Sequence, residues 1–66
     1  MQHKFLVDGY ARNESGSVYK VIDRVNDIVI LRLNRKVYGY YIKTDKNGNE
    51  YVERGKEKTS VIWPMC

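Results

Sequence analysis

Apolar and polar residues alternate with a period of two over most of this chain, the pattern of strands that bury one face. The strongest run is Ile28 to Glu53. Val, Ile and Tyr dominate it, and a turn cluster, Asp45-Lys46-Asn47-Gly48-Asn49, separates its two β-prone parts. Gly48 and the flanking asparagines take positive φ at little cost, so the chain can reverse there. The stretch reads as a β-meander with this hairpin near its centre.

The rest of the chain extends the pattern. Residues 3–12 form the first expected strand, with Phe5, Val7, Gly9 and Ala11 on one face and Lys4, Asp8, Tyr10 and Arg12 on the other. Leu6 is the exception, and Gly9 marks a bend or bulge. Asn13-Glu14-Ser15-Gly16-Ser17 is a turn by composition. The second strand is Val18 to Val25, with Tyr19, Val21 and Val25 on one face and Asp23 breaking it; Val18 and Ile22 share the other face with Lys20 and Arg24. Val18, Val21, Ile22 and Val25 also fall at helical spacing behind a capping Ser17. Three of those four are Val, which is stiff at χ1, and this favours strand over helix.

Asn26-Asp27 leads into the third strand, Ile28 to Asn34. Val29, Leu31 and Leu33 share a face, and apolar residues occupy both faces at its start, as expected of a central strand. After Asn34-Arg35-Lys36, the fourth strand runs from Val37 to Thr44, with Tyr38, Tyr40 and Ile42 opposite Val37, Gly39, Tyr41 and Lys43. Glu50 to Arg54 is the fifth strand, Gly55 to Lys58 a charged loop, and Thr59 to Pro64 the sixth strand. Pro64 lacks an N–H and fits an end or an edge. Met65 and Cys66 are expected to fray.

Short strands at spacings near ten residues predict an all-β fold in a single domain spanning 1–66. It is either a small antiparallel barrel of SH3-like or OB-like size or a strongly bent five- to six-stranded meander. Closing the sheet would remove its edges. The expected core is Phe5, Val7, Val21, Val29, Leu31, Leu33, Ile42, Val52 and Ile62, with Trp63 covering one end or the edge.

Length and composition narrow the picture. A domain of 66 residues buries only about 60% of the surface its unfolded chain exposes. Domains of this size often rely on disulfides, a metal or a partner. Cys66 is the one cysteine, so no intramolecular disulfide is available, and the expected setting is a reducing one, the cytoplasm. The apolar run Phe5-Leu6-Val7 is too short for a signal-peptide core, and no run approaches the ~20 residues that span a bilayer. Twelve Lys and Arg against eight Asp and Glu give a net charge of +4, which attracts nucleic acid, anionic membranes or acidic proteins.

Catalytic and metal chemistry find little support in the sequence. His3 and Cys66 are the lone imidazole and thiol, at opposite ends of the chain. Asp45 to Glu50 resembles the start of a calcium loop, but its glycine is fourth rather than sixth and Lys56 holds the twelfth position. No Gly-x-Ser-x-Gly elbow or phosphate-binding glycine loop is present. A chain this short also struggles to enclose a ligand-sized dry pocket. The expectation is a protein without catalytic residues, cofactor or metal.

Eight aromatic residues, six of them Tyr, remain to be placed. Tyr38, Tyr40 and Tyr41 lie in sequence beside Arg32, Arg35, Lys36 and Lys43. Rings that stack bases, interleaved with cations that hold phosphates, are the means by which proteins bind single strands. Tyr also suits strands, with its ring in the core and its hydroxyl at the surface. Since neighbouring strand residues face opposite ways, Tyr41 is the better stacking residue and Tyr40 the better core residue. The sequence points to a small non-catalytic intracellular binding module that takes nucleic acid on a basic-aromatic face made of Arg32, Arg35, Lys36, Tyr38, Tyr41 and Lys43. The alternative is a small regulatory or inhibitory protein, of the kind phages and plasmids encode, that binds a partner protein through the same anchors.

Overall fold

The computed structural model describes residues 4–54 and 61–65. They form seven antiparallel strands: β1 Tyr10–Asn13, β2 Val18–Val25, β3 Ile28–Leu33, β4 Lys36–Tyr41, β5 Lys43–Thr44, β6 Glu50–Glu53 and β7 Val61–Met65. The described residues contain no helix, so the helical reading of Val18 to Val25 gives way to strand. Among them, no helix is long and apolar enough to cross a membrane. The expected charged loop Gly55 to Lys58, the start of the last strand at Thr59 and Ser60, and His3 and Cys66 lie outside the described residues.

The strands lie side by side in the order β4-β3-β2-β1-β7-β6-β5. The two ends of that order are consecutive in the chain, separated by Ile42 alone. Residues 37–44, expected as one strand, therefore pair with β3 first and with β6 afterwards. At the change of partner, Ile42 N–H donates to Asp27 O at 2.6 Å. This switch curls the sheet into a half-barrel.

Inside the curl lie Phe5, Ala11, Tyr19, Val21, Val29, Leu31, Val52 and Ile62, with Leu33, Tyr38, Tyr40 and Ile42 packed against them. Most of this core follows from the period-two pattern. Val7 does not belong to it and is 51% exposed. Residues 4–9 are not strand: Gly9 N–H donates to Leu6 O at 2.9 Å, Asp8 sits at φ 68°, and the tight turn throws Val7 outward. A Cβ on Gly9 would stand 2.9 Å from Leu6 O, so this turn requires glycine. Two-residue loops join β2 to β3 and β3 to β4, and each places an asparagine in the left-handed region, Asn26 at φ 55° and Asn34 at φ 58°.

One irregularity in β2 decides which cations face inward. Val21 pairs with Leu31 but Asp23 pairs with Ile30, so Ile22 is an extra, bulged residue. Beyond it the alternation shifts by one. Asp23 and Val25 turn outward, and Arg24 turns inward opposite the buried Val29.

There Arg24 meets Glu50, the one buried charged residue described, at 7% exposure. Nη1 donates to Oε1 at 2.5 Å and Nη2 to Oε2 at 2.6 Å, a bidentate, charge-assisted pair. Phe5 N–H donates to the same Oε1 at 3.0 Å, and Arg24 Nη1 also donates to Phe5 O at 3.3 Å. Burial alone would push the Glu50 carboxyl up. The Arg24 and Phe5 hydrogen bonds, with the charges of Arg24 and Lys4, outweigh that and hold it below the usual range. A second buried polar group, the Tyr19 hydroxyl, accepts from Arg54 Nη1 at 2.9 Å and Asn13 Nδ2 at 3.4 Å. Tyr19 thus fills the core while its oxygen reaches polar partners.

Two outcomes follow. Leu31→Ala should destabilise the domain by about 2–5 kcal/mol, as truncations of buried leucines do; an unchanged melting temperature would remove Leu31 from the core. Because folding lowers the Glu50 pKa, its stabilising contribution is complete above the unfolded value of about 4.3 and is lost as pH falls through the lower folded value. Asp45 is shifted down as well, chiefly by the Asn49 backbone hydrogen bond, and acts in the same direction. Urea unfolding should therefore show wild-type stability dropping below about pH 4.3. Glu50→Gln should start lower at neutral pH and fall less steeply. Identical acid slopes for the two proteins would contradict the buried pair.

Candidate nucleic-acid interface

Strand register brings distant residues together on the convex face. Tyr10 of β1 lies opposite Met65 of β7 on one side and Lys20 of β2 on the other. Lys20 lies opposite Arg32 of β3, and Arg32 opposite Val37 of β4. The next outward-facing row holds Trp63, Arg12 and Val18. Tyr10, Arg12, Arg32, Trp63 and Met65 are all exposed. The two rows contain three cations, Arg12, Lys20 and Arg32, and no carboxylate.

Their spacing is set by the sheet. Directly opposed residues have Cα atoms about 4.5–5.5 Å apart, and Arg12 lies on the diagonal from Lys20 at about 7–8 Å. Lys20 Nζ stands 5.4 Å from the centre of the Tyr10 ring, a cation–π contact. Opposed like charges destabilise a sheet, so placing Lys20 against Arg32 works against folding. Neither Arg12 nor Arg32 has an ion-pair partner among the described residues.

Beside these rows the sheet opens. β6 pairs with β7 only at Val52–Ile62 and Glu53–Val61. Beyond Ile62 the strands part, leaving Pro64 with a neighbour on one side, β1, as its missing N–H permits. A cleft of about 670 Å³ lies here, lined by Tyr10, Arg12, Trp63, Pro64 and Met65 from β1 and β7 and by Asp45, Asn49 and Glu50 from the turn before β6 and its first residue. The expectation that so short a chain encloses no ligand-sized pocket meets a cleft of that size, formed by splayed strands at the surface. Hydrogen bonds within the turn tie its polar lining together. Asp45 Oδ1 accepts from Asn47 N–H at 2.8 Å and Asn49 N–H at 2.9 Å, and Gly48 at φ 83° completes the turn. The carboxylate that resembled a calcium ligand is thus engaged by its own turn.

The six residues expected to form a basic-aromatic face are dispersed. Arg32 lies in the convex rows, and Arg35 and Lys36 follow it at the exposed β3–β4 hairpin. Tyr38 points inward and stacks on Tyr40, with ring centres 6.0 Å apart. Burial raises the Tyr40 hydroxyl pKa above its ordinary value, in keeping with a core position. Tyr41 is 74% exposed but lies at the other end of the sheet, in the apolar row Val25–Ile28–Tyr41. Lys43 belongs to β5 and pairs with Glu53 at 3.1 Å. The kink at Ile42 separates Tyr41 from Lys43, which a regular strand would have kept on one face. Tyr10, Arg12, Lys20 and Trp63 escape a reading of the sequence because they meet only through the β1–β7 and β1–β2 registers. The outward phase of Tyr10, Arg12 and Lys20 is the sole hint of them in the sequence.

The fold and this surface define a small all-β, barrel-like domain with a basic, aromatic convex face. Compared with known proteins, the chain matches no family model, no curated protein and no solved structure.

Arg32→Glu tests whether the opposed cations oppose folding. It places a carboxylate opposite Lys20 and should raise stability by about 0.2–1 kcal/mol, which in a domain of this size is a rise of up to a few degrees in melting temperature. A lower melting temperature would show that the Lys20–Arg32 pairing is not a source of repulsion.

Proposed function

We propose that the domain is a small non-catalytic binding module that takes single-stranded nucleic acid across the convex face of β7, β1, β2 and β3. The observation that carries this reading is the opposition of Lys20 and Arg32, joined diagonally by Arg12, in rows that also expose Tyr10 and Trp63. Cations arranged against the needs of folding fit an anionic ligand, and conflicts of this kind are expected at functional sites. A sugar-phosphate backbone supplies the counter-charge, and its bases supply flat faces for the two rings. Arg35 and Lys36 extend the positive surface at the hairpin end.

A second reading, a regulatory or inhibitory protein that docks on a partner protein, is favoured by a different observation. The row Val25–Ile28–Tyr41 is apolar and exposed at the opposite end of the sheet. Exposed aromatic residues often anchor protein interfaces.

Fluorescence anisotropy with a labelled mixed-sequence single-stranded oligonucleotide separates the two. Binding should weaken steeply with salt. Replacing Arg12, Lys20 and Arg32 together by Ala should reduce the slope of log K against log salt by about 2, at roughly 0.7 for each phosphate left without its cation. Tyr41→Ala should leave this binding unchanged. Absence of binding at low salt to any single strand would overturn the nucleic-acid reading and leave the Tyr41 row as the surface to pursue.

A further inference from the structure

The geometry points to the cleft between β6 and β7 as a pocket for one unpaired base that carries an exocyclic amino group, an inference that rests on the nucleic-acid reading. The two parts of its lining differ in charge. β1 and β7 contribute Arg12, Tyr10, Trp63 and Met65, whereas the turn before β6 contributes the Asp45 carboxylate and Asn49, beside a Glu50 already paired with Arg24. A nucleotide entering such a cleft has one favourable orientation. Its phosphate lies toward Arg12 and the convex cations, since Asp45 would repel it. Its base lies over Trp63, whose indole offers a stacking face.

The edge of the base then meets Asp45. An ionised carboxylate only accepts hydrogen bonds, so it favours an edge that donates. The amino group of cytosine is a donor at the end of its edge that Asp and Glu accept in known recognition chemistry, whereas the one edge donor of uracil or thymine, N3–H, lies between two carbonyls that would repel the carboxylate. Asp45 is held for this role by the Asn47 and Asn49 amides, which fix the carboxylate and keep it ionised. The hydrogen-bonded turn makes this part of the lining preorganised, so little ordering is needed when a ligand arrives. Amino-bearing bases should therefore be preferred over uracil and thymine.

Trp63 is the only tryptophan in the chain and reports directly on its own pocket. Its fluorescence should be followed while oligo-deoxycytidine or oligo-deoxythymidine of equal length is added at low salt, with anisotropy of the labelled oligonucleotides measured in parallel. Oligo-deoxycytidine should quench Trp63 and bind roughly fivefold or more tightly than oligo-deoxythymidine, the low end of discrimination at one base edge. Asp45→Asn keeps a side chain able to hold the turn, and it should bring the ratio of oligo-deoxycytidine to oligo-deoxythymidine affinity close to one without weakening oligo-deoxythymidine, since it also removes a charge that repels phosphate. Binding seen by anisotropy without Trp63 quenching, or with equal affinity for the two oligonucleotides, would overturn the base pocket and leave the convex-face reading standing. No binding by either readout would overturn both.

Discussion

The Arg24–Glu50 pair is the constraint on which the arrangement depends. It ties β2 to the first residue of β6, and through the Phe5 backbone it ties both to the segment that precedes β1. Burying a carboxylate is expensive unless its lone pairs are filled, and here two guanidinium nitrogens and one backbone amide fill them. Removing one partner of such a pair commonly destabilises a protein by about 3–5 kcal/mol. A value near the lower end is expected here, because the Arg24 side chain keeps 27% of its accessibility.

The same bulge that forms this pair takes Arg24 off the convex face. In an unbroken strand Lys20, Ile22 and Arg24 would share one side. The extra residue at Ile22 sends Arg24 inward to Glu50 and leaves Lys20 outward between Tyr10 and Arg32. One β2 cation thereby serves the interior and the other is presented to solvent. Glu50 has a further consequence. Its side chain engages β2 and Phe5 at the point where β6 no longer pairs with β7, and the cleft beside Trp63 opens there. Interior pair, convex cations and cleft thus meet at β2 and β6.

The all-β class, the second and third strands and most of the core were legible because alternation is a local property of the chain. Val29, Leu31, Val52 and Ile62 are buried as their phase requires. Three features were not legible. The turn at Leu6 to Gly9 shifts Val7 out, and nothing local distinguishes it from a bulge. The extra residue at Ile22 moves Arg24 across the sheet, although Asp23 breaking the alternation was its trace. The change of partner at Ile42 splits one expected strand in two and so separates Tyr41 from Lys43. The candidate site suffered most, because sequence neighbours such as Tyr38 and Tyr41 were grouped by proximity. The surface is assembled by pairing β1 with β7, more than fifty residues apart in places, and such pairing leaves no local signature.

The most direct measurement is nuclear magnetic resonance of the ¹⁵N-labelled protein during titration with a short single-stranded oligonucleotide at low salt. Backbone amides of Tyr10, Arg12, Lys20 and Arg32 and the indole N–H of Trp63 should shift together and saturate at one ligand concentration, while Tyr41, Lys43 and the buried Val29 hold still. Shifts confined to Val25, Ile28 and Tyr41, or no shifts at all, would contradict the convex face as the binding surface.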